Sequence, residues 1–228
     1  MSSIRSVLFD LDATLLDHDA AARSAVLEMH SAYGSPLGPD SGVVMAKWIE
    51  LTELHYERYL ARKIGFLDQR RERARDFFGG NISDGEVDLR FAFYLEVYER
   101  EWKLFPDVIP CLDDLRSFPL GLITNGDGSQ QNDKVLKMGL VPRLKTVVVS
   151  GDVGMRKPDK GIFHLACNRL GVSPSEAMFV GDRIKDDAIG ALGAGLQAVW
   201  LDRKSTGTVV PSGIRVINSL SQLPGLVL

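Results

Sequence analysis

The order of hydrophobic and polar positions changes twice along the chain. A short apolar run, Val7–Phe9, stops at the polar group Asp10-Leu11-Asp12-Ala13-Thr14, which predicts a short buried strand over Ile4–Phe9 ending in a loop. From about Asp17 to Trp102 the apolar residues recur at helical spacing, in Ala20–His30, Val43–Leu60, Asp68–Phe78 and Val87–Trp102. Gly34-Ser35-Pro36-Leu37-Gly38-Pro39 and Gly79-Gly80-Asn81 break these helices. Further on, short apolar runs alternate with helical stretches. Strands are expected at Leu120–Thr124, Val147–Val149, Met178–Gly181, Ala198–Leu201 and Ile214–Ile217, with helices at Gln130–Lys137, Lys160–Leu170 and Ile184–Leu192.

Strands separated by helices build βαβ units and a parallel sheet. The expected architecture is therefore α/β: a Rossmann-like parallel sheet flanked by helices, interrupted after its first strand by an all-helical insertion. The boundaries fall at residues 1–16 and 104–228 for the core and 17–103 for the insertion. Inside the insertion, Phe91, Tyr94, Leu95 and Tyr98 form an aromatic stripe that reads as helix core. Arg70, Arg71, Arg73 and Arg75, with Glu72 among them, read as a solvated helix face.

Composition narrows the classes. A net charge of −3 lacks the basic excess of a general nucleic-acid binder. Two cysteines, Cys111 and Cys167, without CxxC spacing suit a reducing cytoplasm and packing roles. No apolar run reaches the roughly 20 residues that span a bilayer, and Met1–Arg5 followed by Val7–Phe9 does not have the form of a signal peptide. A soluble cytoplasmic protein, monomer or homodimer, is expected. Asp occurs 20 times and Glu 10 times, and several Asp residues directly follow apolar runs. Short carboxylates at strand ends are the first hint of chemistry.

Four polar groups follow predicted strands: Asp10-x-Asp12-x-Thr14, Thr124-Asn125-Gly126-Asp127, Lys157-Pro158-Asp159, and Gly181-Asp182 with Asp186-Asp187 beyond it. In a parallel sheet all four share the carboxyl edge, where ligands bind. Asp10, Asp12, Asp182 and Asp187 gathered there would repel one another. A hard divalent cation with oxygen ligands removes the conflict, and Mg²⁺ fits because it needs few carboxylates and leaves positions for water and phosphate. The histidines His18, His30, His55 and His164 are scattered and offer no softer site. Thr124, with the backbone amides of Asn125 and Gly126, offers a neutral phosphate cradle, and Lys157 adds one positive charge.

This four-part set resembles the haloacid dehalogenase-like hydrolase superfamily. Asp10-x-Asp12-x-Thr14 matches the first motif, Thr124 the second, Lys157 before Pro158 the third, and Gly181-Asp182-x4-Asp187 the fourth. The resemblance implies that residues 17–103 are the family's helical cap, and that the protein is a Mg²⁺-dependent phosphatase of a small phosphorylated metabolite. The substrate classes implied are a sugar phosphate, a nucleotide or a phosphoglycolate-like molecule. It further implies that Asp10 attacks phosphorus to give an aspartyl-phosphate, that Asp12 serves as acid and then base, and that Lys157 and Thr124 stabilise the transferring group. The metal would be held by the Asp10 side chain, the Asp12 carbonyl and Asp182, with Asp187 or Asp186 direct or through water; the spacing favours Asp187. Ala13 stands where the family often has Gly, Asn or Asp.

Three other readings use parts of the same set. A 2-haloacid dehalogenase needs neither metal nor an acid for a halide, which leaves Asp12 and the fourth motif unexplained. A sugar-phosphate mutase shares the core and differs in the cap. A receiver-like phospho-accepting domain also combines Asp, Lys and Mg²⁺, but its phosphorylated Asp follows an internal strand and it has no such insertion.

Overall fold

The structure, a computed structural model, describes residues 3–227. The chain forms two compact units, one running to Asp17 and resuming at Lys103, the other His18–Trp102.

The first unit is built on a six-stranded parallel sheet, β1 (Ser6–Phe9), β2 (Leu120–Thr124), β3 (Thr146–Val149), β4 (Ala177–Gly181), β5 (Gln197–Leu201) and β6 (Ile214–Ile217), in the order β3-β2-β1-β4-β5-β6. β1 lies at the centre with neighbours on both sides, and β1, β2 and β4 are buried along their whole length. That is why these strands read as mainly apolar runs rather than alternating ones. Their registers level the strand ends: Phe9 lies opposite Leu122 and Val180. β1 starts at Ser6 rather than Ile4, and just ahead of it the Arg5 N–H donates to the Glu176 carbonyl at 2.8 Å.

The second unit is all helical: α1 (His18–Tyr33), α2 (Ser41–Leu60), α3 (Phe66–Phe77) and α4 (Asp84–Arg100). Asp40 caps α2 by accepting from Gly42 and Val43, and Ser83 caps α4 by accepting from Glu86, so both helices start earlier than their apolar spacing suggests. Phe91, Tyr94 and Tyr98 are buried, and Trp48 meets Phe77 and Tyr94 at ring separations of 5.2 and 4.8 Å.

The arginine run is not a uniformly solvated face. Arg71 and Arg75 do form exposed pairs with Asp88 and Asp84. Arg73 is instead buried, its guanidinium 4.7 Å over Trp48 and 5.0 Å over Phe91. Burial pulls it down to about 10. An arginine stem and flat head pack well on aromatic rings, and residue type alone does not reveal which of four arginines faces inward.

The remaining helices belong to the first unit. They are α5 (Val108–Asp114), α6 (Gly128–Lys137), the one-turn α7 (Ser150–Val153), α8 (Lys160–Leu170), α9 (Gly190–Gly193) and α10 (Pro224–Val227). α5 lies outside the helical stretches bounded above, although Cys111 within it reads as part of a helical pattern; its Pro110 sits in the first turn, where a missing N–H removes no helical bond. The stretch expected as one helix from Ile184 is a π-helical turn, Ile184–Ile189, running into α9. No described helix is long and apolar enough to cross a membrane.

Candidate active site

All four polar groups singled out in the sequence lie at or beyond the carboxyl ends of β1, β2, β3 and β4, in the first unit. Asp10 continues β1, its N–H donating to the Val180 carbonyl at 2.9 Å. One carboxylate oxygen of Asp10 accepts from Lys157 Nζ at 2.5 Å, and the other accepts a long bond, 3.5 Å, from Thr14 Oγ1. Three residues on from Asp10, Ala13 takes φ 60° and is tied back by its N–H to the Leu16 carbonyl. Left-handed backbone costs a residue with a Cβ roughly 1–2 kcal/mol, a reason for Gly, Asn or Asp to be favoured at that place.

Lys157 reaches the site from a loop clamped by Asn125. The Asn125 amide accepts from the Lys157 N–H at 2.9 Å and donates to the Lys157 carbonyl at 3.0 Å. The buried ammonium bridges Asp10 and Asp187, the latter at 2.6 Å. Burial works against that charge, but the two carboxylates outweigh it and hold Lys157 above the ordinary lysine range.

The π turn decides between the two adjacent aspartates. Asp187 is fully buried, accepting from Lys157 and from the Arg183 N–H at 2.9 Å. Asp186 faces the other way and pairs with Arg183 at 2.9 Å. The space for Asp187 exists because residue 181 is glycine: a Cβ there would lie 2.4 Å from the Asp187 carboxyl.

Oxygens of Asp10, Asp182 and Asp187 all lie within 4.8 Å of one another. Three carboxylates around one lysine leave an uncompensated negative charge. Burial pushes Asp10 up to about 7, against the downward pull of Lys157, and pushes Asp182 up to about 8, aided by the charges of Asp10 and Asp187. Asp182 Oδ1 is buried without a hydrogen-bond partner. A buried acceptor with no donor is costly, and a hard cation satisfies it and the charge excess together. The donor set, all oxygen with no sulfur or imidazole, fits Mg²⁺.

The Asp12 side chain is engaged elsewhere. Lys134 Nζ donates to both its oxygens, at 2.7 and 2.8 Å, and Gln131 Nε2 donates to Oδ2 at 3.0 Å. The same Gln131 amide donates to Thr124 Oγ1 at 2.6 Å. Sequence reasoning missed Gln131 and Lys134. Their spacing of three puts both on one face of α6, but only the fold shows that this face is buried. The amide of Gly126 points to Ser150 Oγ at 2.9 Å, and a Cβ on Gly126 (φ 153°) would strike Gln131 at 2.9 Å. Asn125 and Gly126 thus shape the loop through bonds to Lys157 and Ser150, while Thr124 presents its hydroxyl beside Asp12.

The description of the haloacid dehalogenase-like hydrolases matches residues 4–195. The chain belongs to this family. It is a haloacid dehalogenase-like hydrolase, an enzyme, and the strand-end aspartates lie within the matched region. The chain is 33% identical over 210 residues to a glyceraldehyde 3-phosphate phosphatase of Methanopyrus kandleri, covering 88% of this chain and 84% of the relative. It is 28% identical to the human N-acylneuraminate-9-phosphatase, covering 99% and 94%. Among solved structures it resembles the HAD hydrolase YfnB of Bacillus subtilis with a TM-score of 0.81 at 23% identity, covering 99% of each chain, a likeness of fold.

Proposed function

We propose that this hydrolase is a Mg²⁺-dependent phosphatase of a small phosphorylated metabolite, working through an aspartyl-phosphate on Asp10. The observation that carries the reading is the buried Asp10 carboxylate held by Lys157 beside the unpartnered Asp182 oxygen. Relatives named as phosphatases of glyceraldehyde 3-phosphate, N-acylneuraminate 9-phosphate and phosphoserine support the reaction class.

In this reading an Asp10 oxygen attacks phosphorus in line, the bond from phosphorus to the ester oxygen breaks, and Asp12 delivers a proton to the departing alkoxide. Water then attacks the aspartyl-phosphate and gives its proton to Asp12, releasing inorganic phosphate and restoring Asp10. Lys157, fixed by the Asn125 clamp, and the Thr124 hydroxyl offset charge on the transferring group. Asp10, the Asp12 carbonyl, Asp182 and Asp187 would hold Mg²⁺, Asp187 directly or through water. The ion, when bound, neutralises the carboxylates and polarises the phosphoryl oxygens. The helical unit supplies recognition of the leaving group, which the core residues leave unspecified.

The test is phosphate release from glyceraldehyde 3-phosphate, N-acylneuraminate 9-phosphate, phosphoserine, phosphoglycolate, nucleotides and an aryl phosphate, with Mg²⁺ or chelator. Wild type should turn over at least one ester only with Mg²⁺, and Asp10→Asn should lose at least about 10³-fold, as expected when a covalent nucleophile is removed. Near-normal turnover in Asp10→Asn sinks the mechanism.

A further inference from the structure

Helix α6 carries two long polar side chains, Gln131 and Lys134, each about 2% exposed. Burying an ammonium and an amide is unfavourable unless their donors are satisfied. Here both are turned inward onto the same carboxylate: Lys134 reaches both Asp12 oxygens, and Gln131 joins Asp12 to Thr124. The α6 N-terminus is fixed by Asp127, whose side chain accepts from the Gln130 N–H, and Gly126 leaves room for the Gln131 stem. The Asp12 carboxyl group is thus held from two sides by one rigid helix face. A carboxyl group free to rotate about its side-chain bonds would meet a leaving oxygen only part of the time.

We infer that Lys134, assisted by Gln131, is a positioning residue that fixes the Asp12 carboxyl group where it meets the leaving-group oxygen. This rests on the reading of Asp12 as acid given above. Gln131 has a second effect. By donating to Thr124 Oγ1 it occupies a lone pair of that hydroxyl and leaves the Thr124 proton to point away from Gln131.

The consequence is a dependence on the leaving group. An alkoxide needs a proton as it departs; 2,4-dinitrophenolate does not. The quotient kcat/KM contains only the steps up to departure, so it isolates the protonation from the later attack of water. Lys134→Met should lower kcat/KM for an alkyl ester (glyceraldehyde 3-phosphate, or whichever alkyl ester of the panel is fastest) by about 10–100-fold, a share of the 10²–10⁴ that general acid catalysis supplies. For 2,4-dinitrophenyl phosphate the loss should stay below about 3-fold, since that ester draws nothing from the acid. Lys134→Arg, which keeps a cationic donor, should recover most of the alkyl-ester rate. Folding of each variant is checked by thermal melting. If Lys134→Met does not fold, Gln131→Met takes the same measurement, because it removes one donor to Asp12 and leaves the ion pair. Equal losses on both esters in a folded variant, or no loss on either, overturn the inference and leave the phosphatase reading standing. An Asp10→Asn variant that still hydrolyses both esters at near-normal rates fails the aspartyl-phosphate mechanism, and this inference with it.

Discussion

At the scale of the residue, the site is an electrostatic imbalance held together by one lysine. Asp10 and Asp182, pushed up to about 7 and about 8 from the usual 3.8, keep protons in the folded chain that the unfolded chain releases. The sign follows: without a metal, their contribution to stability is fully present below about pH 4 and is lost as the pH rises through 7 and 8. A divalent cation competes with those protons for the same oxygens, so its stabilising effect must grow over the same window. The expected outcome is a melting temperature in chelator that falls between pH 5 and pH 8. Millimolar Mg²⁺ should restore it by more than about 3 °C at pH 8 and by less at pH 5, a degree of stabilisation near 1 kcal/mol for a chain of this size. The measurement is a set of melts at both pH values with and without Mg²⁺. A Mg²⁺ effect larger at pH 5 than at pH 8 contradicts the assignment of these carboxylates.

At the scale of the element, the strands were readable and the finer turns of the helices were not. A central parallel strand is buried on both faces, so β1, β2 and β4 announce themselves as apolar runs, and the residues that follow them mark the site. That logic alone points to Asp10, Thr124 and Asp182 as candidates, without any knowledge of side-chain direction. Lys134 and Gln131 escaped it because a polar residue on a helix reads as solvated until its partner is known. The partner, Asp12, is more than a hundred residues away in sequence. Arg73 escaped for the same reason. The π turn at Ile184–Ile189 is the third case: nothing in its composition distinguishes it from an α-helix, yet it sends Asp187 inward and Asp186 outward. Such bulges recur at functional sites. Asp186→Asn should therefore keep turnover within about 3-fold, as surface changes usually do, while Asp187→Asn should lose at least about 10²-fold, because it weakens the charge that holds Lys157 in place. Gly181→Ala should resemble Asp187→Asn, since the added methyl lands on the Asp187 carboxyl. Steady-state kinetics of the three folded variants decide the matter, and equal effects at 186 and 187 would refute the orientation.

At the scale of the whole molecule, the helical unit is a single excursion from the first unit, and the points where the chain leaves and returns are tied to each other. Leu16 bridges Leu104, the Asp17 N–H donates to the Lys103 carbonyl at 2.9 Å, and the Phe105 N–H donates to the Leu15 carbonyl at 3.0 Å. Behind this pairing Arg203 grips Asp107 with two nitrogens at 3.0 Å each and donates to the Thr14 carbonyl at 2.8 Å. Asp107 also accepts from Ser219 and from the Leu220 N–H. Residues of the first unit therefore anchor the loop that carries Asp10 and Asp12. Loop-closure entropy rises with the length of chain between the closed ends, about 0.6 kcal/mol per doubling, so a short connection in place of residues 18–102 asks less of the fold than the natural excursion does. The expected outcome is that a chain in which a few Gly and Ser residues replace 18–102 folds and unfolds in one cooperative urea transition. With Asp10, Asp12, Lys157 and Asp182 all retained, it should still hydrolyse 2,4-dinitrophenyl phosphate in the presence of Mg²⁺. Its kcat/KM values for the alkyl phosphates of the panel should converge, because the unit proposed to distinguish their leaving groups is gone. A folded, active core that ranks those esters as the full chain does would place leaving-group recognition in the first unit instead.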